Sequence, residues 1–112
     1  MRLEALLNAA GRDRGEQLKL FARLILGLIE ELDQGLISAT EAVQVIYNAD
    51  NCLFIRNHFR EKLPDRIMSH GVQLPDLFDA LPAELAYRGF KHELVTMRSL
   101  CLKLLDARPL VA

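Results

Sequence analysis

The sequence predicts an all-α protein, a compact bundle of five to seven helices forming one domain over residues 1–112. Three observations lead there. Apolar residues recur at i, i+3, i+4 and i+7, the spacing of one helix face, in several separate stretches. Helix punctuation is frequent, with a Ser38-Ala39-Thr40-Glu41 run and prolines at 64, 75 and 82. No stretch sustains the apolar/polar alternation of a half-buried strand, although Leu36–Ile37 and Val72–Leu74 keep strand character as an alternative. With 51% hydrophobic residues in 112, the chain has enough apolar side chains to fill a core without a disulfide or metal staple.

Residues 2–10 read as a short, loosely docked N-terminal helix closed by Gly11. A central apolar helix follows over about residues 15–34. Leu18, Phe21, Ala22, Ile25, Leu28, Ile29 and Leu32 line one face of it, and Gly35 stands where a left-handed cap belongs. Leu20, Leu24 and Leu26 fall off that face, which predicts packing on several sides or a self-association surface. The Ser38/Glu41 pair predicts a capping box and a helix striped by Ala42, Val43 and Ile46. Asp50 or Asn51 is then the expected N-cap of a helix from about Cys52 to Lys62.

Pro64 is placed in the first turn of a short helix through His70, closed by Gly71. Pro75 starts a single turn over residues 76–81. Pro82 opens a long C-terminal helix, about residues 83–107, stopped by Pro109. Phe90, Leu94, Met97, Cys101 and Leu104 stripe that helix, flanked by Leu100 and Leu105. Gly27 and Gly89 each sit inside an expected helix, where glycine costs roughly 1 kcal/mol relative to alanine, so close helix approach, one glycine against the other, is the expected reason.

Fourteen bases against fifteen acids leave a net charge of −1, with no surplus of cations to displace counterions, so a role led by the nucleic-acid backbone is disfavoured. The total hides a pattern. Residues 1–23, 24–55, 56–66, 67–87 and 88–112 carry net charges of +2, −5, +2, −3 and +3, and the two acidic bands contain no Lys or Arg. Opposed bands that pair across helices explain this simply. The functional alternative is an interaction patch of Glu30, Glu31, Asp33 and Glu41, because acids crowding a helix C-terminus oppose its macrodipole and favour a basic partner.

Other chemistry finds less in the sequence. The longest apolar run, Leu24–Ile29, has six residues against the ~20 of a membrane span, and the first fifteen residues do not read as a signal peptide. A cytoplasmic protein without a membrane segment is expected. Two short helices over about residues 38–62, with Arg56, His58 and Arg60 on the second, resemble a helix-turn-helix, but Leu53, Phe54 and Ile55 crowd the place of base-reading residues. His58, His70 and His92 lack metal-ligand spacing, and the six glycines form no phosphate loop. No catalytic, metal or cofactor residue is assigned. Cys52 and Cys101 read as small buried thiols, with one disulfide between them as the alternative.

The stretch from Leu26 to Ala42, with Leu-Gly-Leu, an acidic helix end, Gly-Leu-Ile-Ser and Glu-Ala, resembles a pattern in a family of small bacterial all-helical proteins of unknown function. Leu74-Pro75-Asp76 and Leu81-Pro82-Ala83-Glu84 resemble that family's turn before a last helix. The resemblance spans about half the chain and implies a bacterial, single-domain helical protein with no activity attached. The expected function is a protein-interaction or self-associating module, with a helix-turn-helix regulator second and an enzyme third.

Overall fold

The computed structural model describes residues 1–106, and these form six α-helices and no strand: α1 (Leu3–Ala9), α2 (Arg14–Asp33), α3 (Ala39–Val45), α4 (Ala49–Phe59), α5 (Lys62–Ala80) and α6 (Ala83–Asp106). Helix α6 lies between α2 and α5, while α3 packs on α5 and α2, and α1 on α4 and α2. The long C-terminal helix, rather than α2, therefore joins the two other long helices. Its expected stripe from Phe90 to Leu104 is buried throughout, as are all seven residues of the α2 face from Leu18 to Leu32.

Local chemistry places most of the helix ends. Asp13 accepts from the Glu16 amide at 3.0 Å to start α2. At its other end, the Gly35 amide donates to the Leu32 carbonyl and the Leu36 amide to that of Glu31, a Schellman closure that Gly35 permits at φ 73°. The Ser38/Glu41 capping box forms in both directions, with 3.1 Å from the Glu41 amide to Ser38 Oγ and 3.3 Å from the Ser38 amide to Glu41 Oε1.

Helix α4 starts earlier than its sequence suggests. Asn48, not Asp50 or Asn51, is its N-cap, accepting from the Asn51 amide at 3.0 Å. The helix stops at Phe59, where Arg60 takes the left-handed conformation at φ 53°, and Arg14 donates to the freed Phe59 carbonyl. Asn51 is buried and carries a different duty. Its Oδ1 accepts from the Leu3 amide at 3.0 Å, and its Nδ2 donates to the Met1 and Ile46 carbonyls, both at 2.9 Å. Buried Gln17 does the same at the other end of α1, donating to the Leu7 and Gly11 carbonyls at 3.1 and 2.7 Å. With Leu3 and Leu7 fully buried as well, α1 is held firmly rather than docked loosely.

The region expected as two short helices is one. Helix α5 runs unbroken from Lys62 to Ala80, with Pro64 in its first turn as predicted and Pro75 inside it. It ends at Leu81, which takes the extended backbone that the following Pro82 favours. Gly71 does not close a helix. A Cβ built on it would lie 2.3 to 2.5 Å from three carbons of the Tyr47 ring, so the α3–α4 corner rests directly on the α5 backbone. Tyr47 is 1% exposed, and its hydroxyl has no hydrogen-bond partner among the described residues. Gly27 and Gly89, in contrast, do not face each other: Gly27 would point a Cβ into open space, and Gly89 faces Leu77 at 3.5 Å.

These two environments set opposite signs for the same substitution. Gly27→Ala gains helix propensity without a clash and is expected to raise stability by about 0.5 to 1 kcal/mol. Gly71→Ala gains the same propensity but must displace a buried ring, at a typical overpacking cost of 1 to 3 kcal/mol, so a net loss of up to roughly 2 kcal/mol is expected. Urea unfolding of the two variants checks the contrast, and equal midpoints would refute it.

Candidate functional site

The end of α2, the corner Gln34–Ser38, the start of α3, the last turns of α5 and the first turns of α6 enclose a groove of about 630 Å³. Its position follows from the caps. The Schellman turn reverses the chain at Gly35, the capping box starts α3 three residues later, and the extended Leu81 turns α5 into α6 on the opposite side. Leu32, Ala39 and Phe90 supply buried apolar floor, and Ile37 is half-buried beside them. The Phe78 and Phe90 rings lie 5.3 Å apart, tilted by 58°.

Large apolar and aromatic side chains stand exposed at the rim. Leu36, Tyr87 and Phe78 line the groove while 70%, 55% and 46% exposed. Leu81 and Leu85, also exposed, lie in the stretch between the lining residues Asp79 and Tyr87. Exposed large side chains are ordinary when scattered, but gathered around one concavity they make it the candidate for a binding surface.

Three carboxylates, Asp33, Glu41 and Asp79, and no Lys, Arg or His belong to the lining. Lys91 stands just behind it. Its Nζ donates to Asp33 Oδ1 at 2.6 Å and to the Asp33 carbonyl at 3.0 Å, and lies 5.2 Å from the centre of the Tyr87 ring. The hydrogen bond from Lys91 holds the Asp33 carboxyl below its ordinary 3.8, and the Asp33 carboxylate raises the Lys91 ammonium above its ordinary 10.5. This contact also relieves the negative end of α2, whose last turn contains no base. Asp79 has no such partner among the described residues.

The expected acidic patch is therefore divided. Asp33 and Glu41 reach the groove, whereas Glu30 lies outside its lining, paired with Arg98 at 3.6 Å and with Gln34 at 2.7 Å. Glu31 is exposed and also outside the lining. The acidic band of α2 thus meets the basic band of α6, as simple pairing of opposed bands requires. Glu93 meets His70 of α5 at 2.6 Å, and Lys91 meets Asp33. Leu20, Leu24 and Leu26 are half-buried against the core and lie apart from the groove lining.

Helices α3 and α4 each pack on α5. Arg56 meets Asp65 at 3.0 Å, and Arg60 donates to the Asn57 carbonyl at 3.3 Å. His58 stacks on Phe54 with ring centres 4.8 Å apart. Because both Gln17 amide hydrogens go to backbone carbonyls, His58 Nε2 donates to Gln17 Oε1, at 2.7 Å.

A second depression, about 720 Å³ beside Asn48, Asp50, Leu53, Asn57 and His58, is the larger. Asn48 and Asn51 in its wall are committed to capping α4 and holding α1. Among the described residues no cluster of three or more His, Cys, Asp or Glu could hold a metal, and no helix is long and apolar enough to cross a membrane. Comparison with protein-family models, curated proteins and solved structures finds no match.

Cys52 and Cys101 are free thiols. Burial pushes Cys101 up to about 12, and burial together with the Asp65 carboxylate raises Cys52. Neither is poised as a nucleophile. An aromatic disulfide reagent at neutral pH is expected to leave Cys101 unmodified in the native protein, to react slowly at half-buried Cys52, and to titrate two thiols after unfolding; rapid native labelling of Cys101 would contradict this.

The Lys91–Asp33 contact has a defined pH window. The lowered Asp33 value makes its contribution complete above 3.8 and lost as pH falls through the lowered value. The raised Lys91 value makes its contribution complete below 10.5 and lost as pH rises through the raised value. Lys91→Met is thus expected to melt below the parent at neutral pH, with the gap narrowing in strong acid and strong alkali. Thermal unfolding across pH measures it, and a constant gap would assign the residue to packing instead.

Proposed function

We propose that the protein is a cytoplasmic, non-enzymatic interaction module that holds a segment of another protein in the groove between the α2–α3 corner and the α5–α6 hairpin. One observation carries the reading: Leu36, Phe78 and Tyr87 are left exposed around a single concavity whose floor is already apolar. Covering about 100 Å² of each would contribute roughly 2 to 3 kcal/mol of transfer free energy per side chain before the costs of association. A monomer gains nothing from leaving them in water. The size of the groove suits a few inserted side chains of a docked segment, which is how small adaptors hold their partners.

Self-association through Leu20, Leu24 and Leu26 is less favoured, because those side chains already pack partly on their own core. The helix-turn-helix alternative is less favoured, because Arg56 and Arg60 already make contacts within the chain.

The test compares affinity capture with the parent protein, with Phe78→Asp/Tyr87→Asp, and with Leu53→Asp/Val95→Asp, which places the same charges on exposed apolar residues outside the groove. Quantitative mass spectrometry is expected to show a partner retained by the parent and the control and lost from the groove variant. Circular dichroism verifies that all three fold. Identical partner profiles for groove variant and parent would sink the reading.

A further inference from the structure

The groove's charge goes further than its shape, and we infer that its occupant is a short segment in which bulky apolar anchors alternate with Lys or Arg. This rests on the docking reading above and specifies the partner's chemistry. The groove draws its walls from the two stretches of the chain that lack Lys and Arg. Residues 32–41 belong to the acidic band 24–55, and residues 75–87 to the acidic band 67–87. The two bands are far apart in sequence, and the fold brings them face to face across an apolar floor.

Away from the groove, two acids of these bands meet bases of the 88–112 band: Glu30 meets Arg98 and Glu84 meets Arg88. At the groove only Asp33 is met by a base, from behind, while Asp79 has no partner among the described residues and Glu41 is engaged only with the capping-box amide. An acidic or neutral segment would have to bury its apolar groups beside these carboxylates without compensation. A basic one gains attraction and faster encounter.

Lys91 demonstrates the recognition within the chain itself. Its ammonium is held at once by a carboxylate at 2.6 Å, by the terminal carbonyl of α2 at 3.0 Å and by the Tyr87 ring at 5.2 Å. A cation from a partner finds the same kinds of group at Asp79 and Glu41, beside the exposed rings of Phe78 and Tyr87. The apolar anchors settle on Ile37, Leu36 and the Phe78–Phe90 pair.

The experiment is fluorescence anisotropy with three short labelled peptides that share Leu and Phe anchors and differ only in the intervening residues, Lys/Arg, Gln/Ser or Glu. Proteins compared are the parent, Glu41→Gln/Asp79→Asn and Phe78→Asp. Glutamine preserves the capping box, so the charge variant keeps its fold. The basic peptide is expected to bind tightest, to weaken several-fold between about 0.05 and 0.5 M salt, and to lose roughly five- to tenfold on Glu41→Gln/Asp79→Asn. Phe78→Asp should remove binding of the basic and neutral peptides alike.

If neutral and basic peptides bind the parent equally, and the charge variant changes neither, the basic partner is overturned while groove docking stands. If no peptide responds to Phe78→Asp, the docking reading itself falls. Sedimentation completes the set: a dimer of the parent that Phe78→Asp dissolves would make the occupant a second copy and overturn the inference.

Discussion

A tyrosine ring resting on bare helix backbone is the constraint on which this architecture turns. Tyr47 leaves the α3–α4 corner and lies against α5 at Gly71, where a single added carbon would overlap it. The contact sets how close α3 comes to α5, and α3 and α5 are two of the walls of the groove. Helix α5 is long enough to serve both ends of the molecule. Its first half packs with α4, and its last turns carry Pro75, Phe78 and Asp79 to the groove.

Around this contact, the polar groups divide into those that hold the fold and those left for the surface. Asn51 and Gln17 spend their hydrogen-bonding capacity on α1, His58 completes Gln17, and Arg14 meets the end of α4. Each satisfies a backbone or amide group that burial would otherwise penalise. Lys91 and Arg98 bring the basic band of α6 over the acidic end of α2. At one end they leave an acid-lined, aromatic concavity, with the exposed rings of Phe78 and Tyr87 beside it.

Legibility in the sequence followed the range of the interactions. The faces of α2 and α6, the Gly35 turn, the Ser38/Glu41 box and the proline at the start of α6 all depend on neighbours within a few residues, and each was readable. Gly71 and Pro75 were misread as punctuation because the ordinary local meaning of glycine and proline is to end helices. At Gly71 the reason for glycine lies 24 positions away in Tyr47. The same distance hid the candidate site. Asp33 and Glu41 stood out as acids, but Phe78 and Tyr87 looked like ordinary members of helices α5 and α6, and only their missing cover makes them notable.

By itself, then, the sequence determined that the chain is helical, where most helices begin, which faces turn inward and how charge is banded along it, because these are set by spacing and by hydrogen bonds between near neighbours. Only the tertiary structure decided that α6 rather than α2 lies between the other long helices, that α5 is continuous, and that two acidic bands converge on one apolar groove. Those outcomes depend on which faces meet across the core, a packing choice that no local pattern encodes.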